Sequence, residues 1–259
     1  MYYPLAQQEF ESYLNGYDRE NDRIKLKIIH TYGVVKQAEE LAGRMHLSAE
    51  DTDLARLIAL LHDIGRFEQL KRYDSFEPGT MDHAAYGVKV LFDEGMIRRF
   101  LPDDKWDSII YTAIAHHSDY KLEGITDERT LLHAKLIRDE DKLDNCRVKL
   151  VDSTSTFINV SEEELGTQNI TQKVYETVFK NKCILSADRV TQMDYWVSYI
   201  VYFFDINFKE SFDIIAENDY LNRIIDRISY SNPVTKEQME NIRVYMQNFI
   251  NSHTNSQSF

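Results

Sequence analysis

Residues 54–66 read LARLIALLHDIGR, an apolar run that ends in a polar pair, His62 and Asp63. Within the run, apolar residues recur at intervals of three and four positions, which is the period of one face of an α-helix. The same period recurs between Leu26 and Leu41. The chain has only 9 glycines and 4 prolines, so few residues interrupt helices. The sequence therefore predicts an all-α fold, with further helices in the C-terminal part.

Helix-breaking segments divide the chain. They lie at residues 43–50, 73–81, 102–103 and 121–127. They split residues 1–150 into about five predicted helices. Ser161 precedes an acidic run and is typical of a helix start, and residues 160–250 are typical of further helices rich in Tyr and Phe. We therefore expect a core over residues 1–150, a helical extension over residues 151–250 that packs on the core as one unit, and a disordered tail over residues 251–259.

Composition limits the partners of this protein. The 259 residues include 30 Lys and Arg against 43 Asp and Glu, a formal net charge of −13. This charge opposes non-specific attraction to nucleic acid or anionic membranes, so we expect neither as a partner, and an anionic substrate needs a local positive site. The two distant cysteines, Cys146 and Cys183, and a first segment without a secretory pattern predict a reduced, cytoplasmic protein.

Histidines are concentrated early in the chain, with seven of the eight in the first 133 residues. His30 lies inside an apolar helical run, and His62 and Asp63 directly follow another, at positions where apolar side chains are expected. Further candidate ligands lie near predicted helices: His83 at a helix start, His116 and His117 after an amphipathic run, and Asp141. Imidazoles and carboxylates that converge from several helices suit first-row divalent cations. The sequence therefore predicts a cation site where these helices meet.

The order of these residues is similar to a known family signature. His30, then the pair His62-Asp63, then Asp141 resembles the ordered His, His-Asp, Asp signature of the HD-domain superfamily of metal-dependent phosphohydrolases. The segments LLHDIGR at residues 60–66 and IRDEDKLDN at residues 137–145 resemble helix ends of that family. The resemblance covers roughly residues 20–150 and implies an all-α, HD-domain helical bundle.

By this resemblance, the chain binds one or two divalent cations, from among Mn, Fe, Co, Ni, Zn and Mg. The residues that would hold the first ion are His30, His62, Asp63 and Asp141. The residues that would hold a second ion are His83, His116 and His117, with Asp63 bridging the two ions. These three histidines could instead bind substrate phosphate or cap helices. Arg66 could clamp a phosphate through paired hydrogen bonds, or it could lie in a surface ion pair.

The implied function is hydrolysis of a phosphate ester of a small nucleotide or phosphorylated metabolite. Bound metal would lower the pKa of water towards neutrality, while Asp63 would hold the ions and Arg66 would bind the substrate. These two are therefore the expected catalytic residues. The chain lacks the Gly-Tyr-Pro extension of the cyclic-dinucleotide phosphodiesterase branch, so that substrate is not implied. Two alternatives stay open: a di-iron oxygenase on the same scaffold, and a metal-stabilised sensing domain without turnover.

Other polar and aromatic residues have simpler interpretations. His46 precedes a helix start and His133 lies in an ordinary helical run, so both are expected to be structural. Charged residues near Asp141 are expected to form ion pairs on the helix face, namely Arg138, Lys142 and Asp144. An aromatic stripe at helical spacing is expected in the core, formed by Tyr195, Trp196, Tyr199, Tyr202 and Phe203.

Overall fold

The computed structural model describes residues 3–77 and 79–254. These residues form helices joined by turns and irregular segments, with no strand among them, so the predicted all-α fold is confirmed. The chain divides into two compact units, of which the first ends at Asp144 and the second begins at Asn145. Among residues 3–77 and 79–254, no helix combines the length and the apolar character that a membrane span requires.

The first unit contains more helices than the sequence predicts. Its α-helices are α1 (Tyr3–Leu14), α2 (Asp22–Arg44), α3 (Ala49–Leu61), α4 (Ile64–Tyr73), α5 (His83–Val88), α6 (Ile97–Phe100) and α7 (Asp107–Ala115), with a π-helical turn at Lys89–Asp93. A longer helix, α8 (Glu128–Val151), crosses the boundary between the units. The prediction of about five helices was wrong because the chain also breaks at residues 15–21, between α1 and α2, and at Asp63, between α3 and α4. In addition, α5 and α6 have only 6 and 4 residues, too few to show a periodic pattern.

Helices α2 and α3 begin at capping residues. The side chain of Asn21 accepts hydrogen bonds from two amides at the start of α2, and Ser48 accepts one at the start of α3. The two helices pack against each other. Apolar residues of both are fully buried, among them Val34, Ala38, Leu41, Leu54, Leu57 and Leu61. This packing brings His30 of α2 close to His62, which directly follows α3.

Two contacts fix the turn that follows α3. Gly65, in the first turn of α4, lies against α5 so closely that a Cβ atom there would overlap the backbone of His83 and Gly87. The hydroxyl of Tyr13 on α1 donates a hydrogen bond to the carbonyl oxygen of Ile64 at 2.9 Å. The turn that carries the His-Asp pair is therefore held between α1 and α5 by specific contacts.

Helix α8 runs for 24 residues. The expectation that residues 137–145 form a helix end was wrong, because they lie in the middle of α8 and the helix ends only at Val151. Asp141 and Asp144 are three positions apart and so share one face of this helix. Both carboxylates reach the imidazole of His30 on α2.

The second unit is also helical. Its α-helices are α9 (Thr154–Ile158), α10 (Glu162–Thr167), α11 (Gln172–Val178), α12 (Gln192–Ile200), α13 (Lys209–Glu217), α14 (Tyr220–Asp226) and α15 (Pro233–Thr254), with 3₁₀ turns at Ser186–Asp188 and Val201–Asp205. Ser161 caps α10 as expected, since its hydroxyl accepts a hydrogen bond from the amide of Glu164 at 3.1 Å. In the predicted aromatic stripe, Trp196 and Phe203 are buried and the three tyrosines are half-buried.

Two expectations about domain organisation concern the C-terminal part. Residues 251–254 were expected in the disordered tail, but they continue α15, whose preceding residue Ile250 is buried; residues 255–259 lie outside the described residues. The first unit ends at Asp144, before residue 150, where the sequence places the end of the core. That the C-terminal helices pack on the core as one unit stays a prediction.

Candidate metal centre

Three helices bring together a first group of candidate metal ligands. His30 lies on α2, His62 directly follows α3, and Asp141 lies on α8. Nε2 of His30 is 2.9 Å from Oδ1 of Asp141, and Nε2 of His62 is 3.8 Å from the same oxygen. One potential ligand atom of each residue lies within 4.8 Å of the other two. These three residues are called the first triad.

A second group lies next to the first. Asp63 directly precedes α4, His83 opens α5 as the sequence predicts, and His117 lies just after α7. Nε2 of His83 and Nε2 of His117 are 3.1 Å apart, and they are 3.3 and 3.6 Å from Oδ1 of Asp63. One potential ligand atom of each of these residues lies within 4.8 Å of the other two. These three residues are called the second triad.

Asp63 lies between the two triads. Its Oδ1 atom faces the histidines of the second triad, whereas its Oδ2 atom is 3.6 Å from Nε2 of His62 in the first. The carboxylate is only 3% exposed. One carboxylate with an oxygen on each side has the geometry of a bridging ligand, which is the role that the resemblance implies for Asp63.

Backbone carbonyls orient two of the histidines. Nδ1 of His62 donates a hydrogen bond to the carbonyl oxygen of Ala59, and Nδ1 of His117 donates one to that of Ile114, each at 2.7 Å. With the proton on Nδ1, the lone pair of Nε2 is available to a metal. Nε2 of His62 is buried and has no hydrogen-bond partner among the described residues. An unsatisfied buried nitrogen of this kind fits a metal ligand.

A carboxylate outside the predicted ligand set orients His30. Nδ1 of His30 lies 2.8 Å from Oδ2 of Asp144, a residue that is 1% exposed. The expectation that Asp144 forms an ion pair on the helix face was therefore wrong, because its side chain points into the site. The sequence signal for this role is the spacing from Asp141, which puts both acids on one helix face.

Two positive side chains lie beside Asp63. Nζ of Lys27 is 2.6 Å from Oδ2 of Asp63. Nε of Arg66 is 3.7 Å from Oδ1, and its Nη2 lies 2.9 Å from Nε2 of His83. The sequence singles out Arg66 but not Lys27, whose only signal is its position one helical turn before His30. The carboxylate of Asp63 therefore lies between two positive side chains.

Burial keeps two of the histidines neutral. Burial lowers the pKa of His62 to about 4, although the charges of Asp63 and Asp141 oppose the shift. Burial, together with the positive charge of Arg66, lowers the pKa of His83 to about 3. A neutral imidazole is the form that binds a metal ion.

The two carboxylates of the triads are ionised despite their surroundings. Burial alone would raise the pKa of Asp63, but neighbouring positive charges, chiefly that of Lys27, hold it well below its usual range. For Asp141, burial is outweighed mainly by the hydrogen bond from His30, and its pKa is also lowered. The site therefore holds ionised carboxylates beside the neutral imidazoles of His62 and His83, as metal binding requires.

The structure does not bring His116 into either triad. Its side chain is 42% exposed, and its Nδ1 atom pairs with Oδ2 of Asp119 at 2.6 Å. Adjacent residues just after a helix point in different directions, which explains why His117 alone joins the site. His133 is buried and pairs with Asp51 at 3.1 Å, and His46 lies in a turn with a positive φ of 52°, so neither belongs to the triads.

Residues 28–146 match the model of the family described as HD domain. This match confirms the resemblance found in the sequence. HD domains bind divalent metals and are largely metal-dependent hydrolases. No curated protein matches the chain, and no solved structure does. The matched residues include both triads, Arg66 and Asp144, whereas Lys27 lies just before them.

Proposed function

We propose that the chain is a metal-dependent phosphohydrolase, which cleaves a phosphate ester of a small nucleotide or phosphorylated metabolite with water activated by one or two divalent cations. The observation that carries this proposal is the position of Asp63, which turns one oxygen towards each triad while Lys27 and Arg66 lie beside it. The HD domain of the chain supports it, since that family consists largely of metal-dependent hydrolases.

The chemistry of the donor set fits first-row divalent cations. The triads offer imidazole nitrogens and carboxylate oxygens, and ions such as Mn, Fe, Co, Ni and Zn accept both. The buried Nε2 of His62, without a partner among the residues described, supports a ligand role for this atom. Such ions, when bound, lower the pKa of water and neutralise negative charge on phosphoryl oxygens.

Lys27 and Arg66 supply positive charge for an anionic substrate. The guanidinium of Arg66 donates to His83 and Gln69 in this structure, and its planar fork of donors would match two phosphoryl oxygens once a substrate replaces these contacts. Lys27 adds a compact charge. Their side chains are 12% and 14% exposed, respectively, so each is partly accessible. Because the whole chain carries a net charge of −13, these two cations form the local positive site that an anionic substrate requires.

The substrate reaches the site from the side of Asp141. This side chain is 25% exposed, whereas those of His30 and His62 are 1% and 0% exposed. The phosphoryl group then lies against Lys27 and Arg66, and its leaving group extends towards solvent. The buried histidines exclude bulk water from the inner side of the site.

The experiment is a substrate screen with the metal-loaded protein. Phosphomonoesters, nucleotides and phosphodiesters are tested with Mn²⁺, Fe²⁺, Co²⁺ or Zn²⁺, while phosphate release and oxygen consumption are measured in parallel. Asp63→Asn serves as the inactive variant. Asp74→Asn is its matched control, because Asp74 is an exposed carboxylate that also pairs with a basic residue, Arg23, at 2.6 Å.

Metal-dependent phosphate release that Asp63→Asn loses and Asp74→Asn keeps is the expected result. Iron-dependent oxygen consumption without phosphate release would contradict the proposal and favour the di-iron oxygenase. Metal binding without turnover of any substrate class would contradict it in favour of a sensing domain. We also propose that the partner is a small phosphorylated molecule, and neither a nucleic-acid polymer nor a membrane.

A further inference from the structure

The two triads differ in the groups that contact the Nδ1 atoms of their histidines. His30 of the first triad has the buried carboxylate of Asp144 at 2.8 Å from Nδ1. His62 and His117 have neutral backbone carbonyls at 2.7 Å instead. A carboxylate behind an imidazole raises the basicity of the other ring nitrogen, and such partners change metal affinity by about ten- to a hundredfold. The first triad therefore contains a strengthened ligand.

Gly33 makes the contact between Asp144 and His30 possible. It lies three residues after His30 on α2, and a Cβ atom at this position would overlap the carboxylate of Asp144. Glycine thus leaves the space in which the acid reaches Nδ1 of His30. A substitution at Gly33 is therefore a second, independent way to remove the contact between Asp144 and His30.

Fixed charges also favour cation binding at the first triad. Asp141 is one of its ligands and Asp144 lies behind it, whereas the second triad has only the shared carboxylate of Asp63. Beside Asp63, Lys27 lies on the side of Oδ2 and Arg66 on the side of Oδ1, so a positive side chain opposes cation binding at each triad. Since neither triad is free of this opposition, the two additional carboxylates favour an ion at the first triad.

Arg66 opposes an ion at the second triad in another way. Its Nη2 atom donates a hydrogen bond to Nε2 of His83 at 2.9 Å. This nitrogen is the potential ligand atom that His83 directs towards Asp63 and His117. To bind an ion, His83 must lose this hydrogen bond, as Nε2 of His30 must lose its contact with Oδ1 of Asp141 in the first triad. The contact at the second triad is with a positive group, so removal of Arg66 relieves both a competing hydrogen bond and a repulsion.

We propose that the first triad, strengthened by Asp144, holds its ion tightly, and that the second triad binds an ion weakly and exchanges it with free metal in solution. This inference rests on the two-ion site of the proposed function. In this arrangement Asp144 is a positioning residue that acts through His30. The concentration of free divalent metal then sets the fraction of molecules with both ions, and so the activity.

Titration of the full-length chain with Mn²⁺ tests the inference without an activity measurement. Calorimetry, with ion content checked by elemental analysis, should give two classes of site whose dissociation constants differ at least about tenfold. Asp144→Asn keeps the shape and removes the charge, so it should weaken the tight class about ten- to a hundredfold and leave the weak class unchanged. Arg66→Met should tighten the weak class, because it removes a positive charge and a competing hydrogen bond.

Two sets of controls separate this role from a general effect on folding. Asp51→Asn is the matched control, because Asp51 pairs with the buried His133 outside the triads; it should leave both classes unchanged. Gly33→Ala should weaken the tight class as Asp144→Ala does. In the Asp144→Ala background it should have little further effect, because the carboxylate that it displaces is gone. Circular dichroism and thermal unfolding check that each variant folds.

The outcomes distinguish the inference from the proposed function. Two Mn²⁺ ions bound with equal affinity, or an unchanged tight class in both Asp144→Asn and Gly33→Ala, would overturn the inference and leave the proposed function intact. Failure of the wild-type chain to bind any Mn²⁺, Fe²⁺ or Zn²⁺ would overturn the proposed function and the inference together.

Discussion

Asp63 connects the two triads, because each of its carboxylate oxygens faces a different set of histidines. Asp63→Ala should therefore abolish turnover and remove most of the bound metal, while the helices persist. Elemental analysis after dialysis against Mn²⁺ measures the metal content, and circular dichroism measures the helix content. Full metal content with normal turnover in this variant would contradict the role of Asp63.

The adjacent residues His116 and His117 form a matched pair for counting ions. His117 contributes to the second triad, whereas His116 is exposed and pairs with Asp119. His117→Ala should reduce the bound Mn²⁺ from two ions towards one per chain, and His116→Ala should leave the count unchanged. The measurement is the metal-to-protein ratio at saturating Mn²⁺. A loss of the same size in both variants would contradict the placement of His116 outside the site.

The buried imidazole of His62 predicts a dependence of stability on pH. Its pKa in the folded protein is lowered to about 4, and an unfolded histidine has a pKa of about 6.5. Between these values the unfolded chain binds a proton that the folded chain does not, so the free energy of unfolding should fall as the pH falls from about 6.5 to about 4. Urea unfolding of chelator-treated protein at several pH values measures the slope, and His62→Asn should reduce it. A slope that His62→Asn leaves unchanged would contradict this assignment.

At this scale, the sequence identifies ligands better than the residues that support them. His30, His62 and Asp63 are recognisable because polar side chains stand where helical periodicity calls for apolar ones. Lys27 and Asp144 escape notice because charged residues spaced along a helix usually form surface ion pairs. Their role depends on contacts with residues distant in sequence, which periodicity does not reveal.

Asp63, directly before α4, and His83, the first residue of α5, meet in the second triad because Gly65 lets the two helices approach closely. A methyl group in Gly65→Ala would meet the backbone of His83 and Gly87, so the helices must separate. We expect a loss of about 1–3 kcal/mol in the free energy of unfolding, and a selective loss of the second ion. Chemical denaturation and Mn²⁺ titration measure the two effects.

Gly43→Ala is the matched control for this change. Gly43 is exposed near the end of α2, and no atom lies within 4 Å of a Cβ placed there, apart from the neighbours along the helix. This substitution should stabilise the protein by about 0.5 kcal/mol or have no effect, because alanine favours helix more than glycine does. A Gly65→Ala protein as stable as Gly43→Ala, with two ions bound, would contradict the close approach of α4 and α5.

The predicted and the observed secondary structure agree best where helices are long and begin at capping residues. The periodic runs and the caps Asn21 and Ser48 account for α2 and α3. Short helices such as α5 and α6 do not have enough residues for a period to appear. Residues 137–145 resemble a helix end of the HD-domain superfamily, but they lie inside α8, where Asp141 and Asp144 contact His30.

For the whole molecule, charge and fold together limit the choice of substrate. A net charge of −13 opposes polyanions such as nucleic acids, and the local pair Lys27 and Arg66 would favour the small phosphorylated molecule that we propose as the substrate. The match of residues 28–146 to the HD-domain family supports the proposed class of protein, a metal-dependent phosphohydrolase. The all-α fold and the resemblance to the HD-domain superfamily could both be read from the sequence, because the ligand order lies in a single run of helices.

Isotope labelling of the product tests the central claim most directly. A hydrolase needs only a Lewis-acidic cation and water, whereas an oxygenase needs iron that changes oxidation state and dioxygen. With an active phosphate ester, Mn²⁺-loaded protein in ¹⁸O-labelled water and without dioxygen should release phosphate that carries one ¹⁸O atom from water. A strict requirement for iron and dioxygen, with label entering the product from the gas, would contradict the hydrolase function.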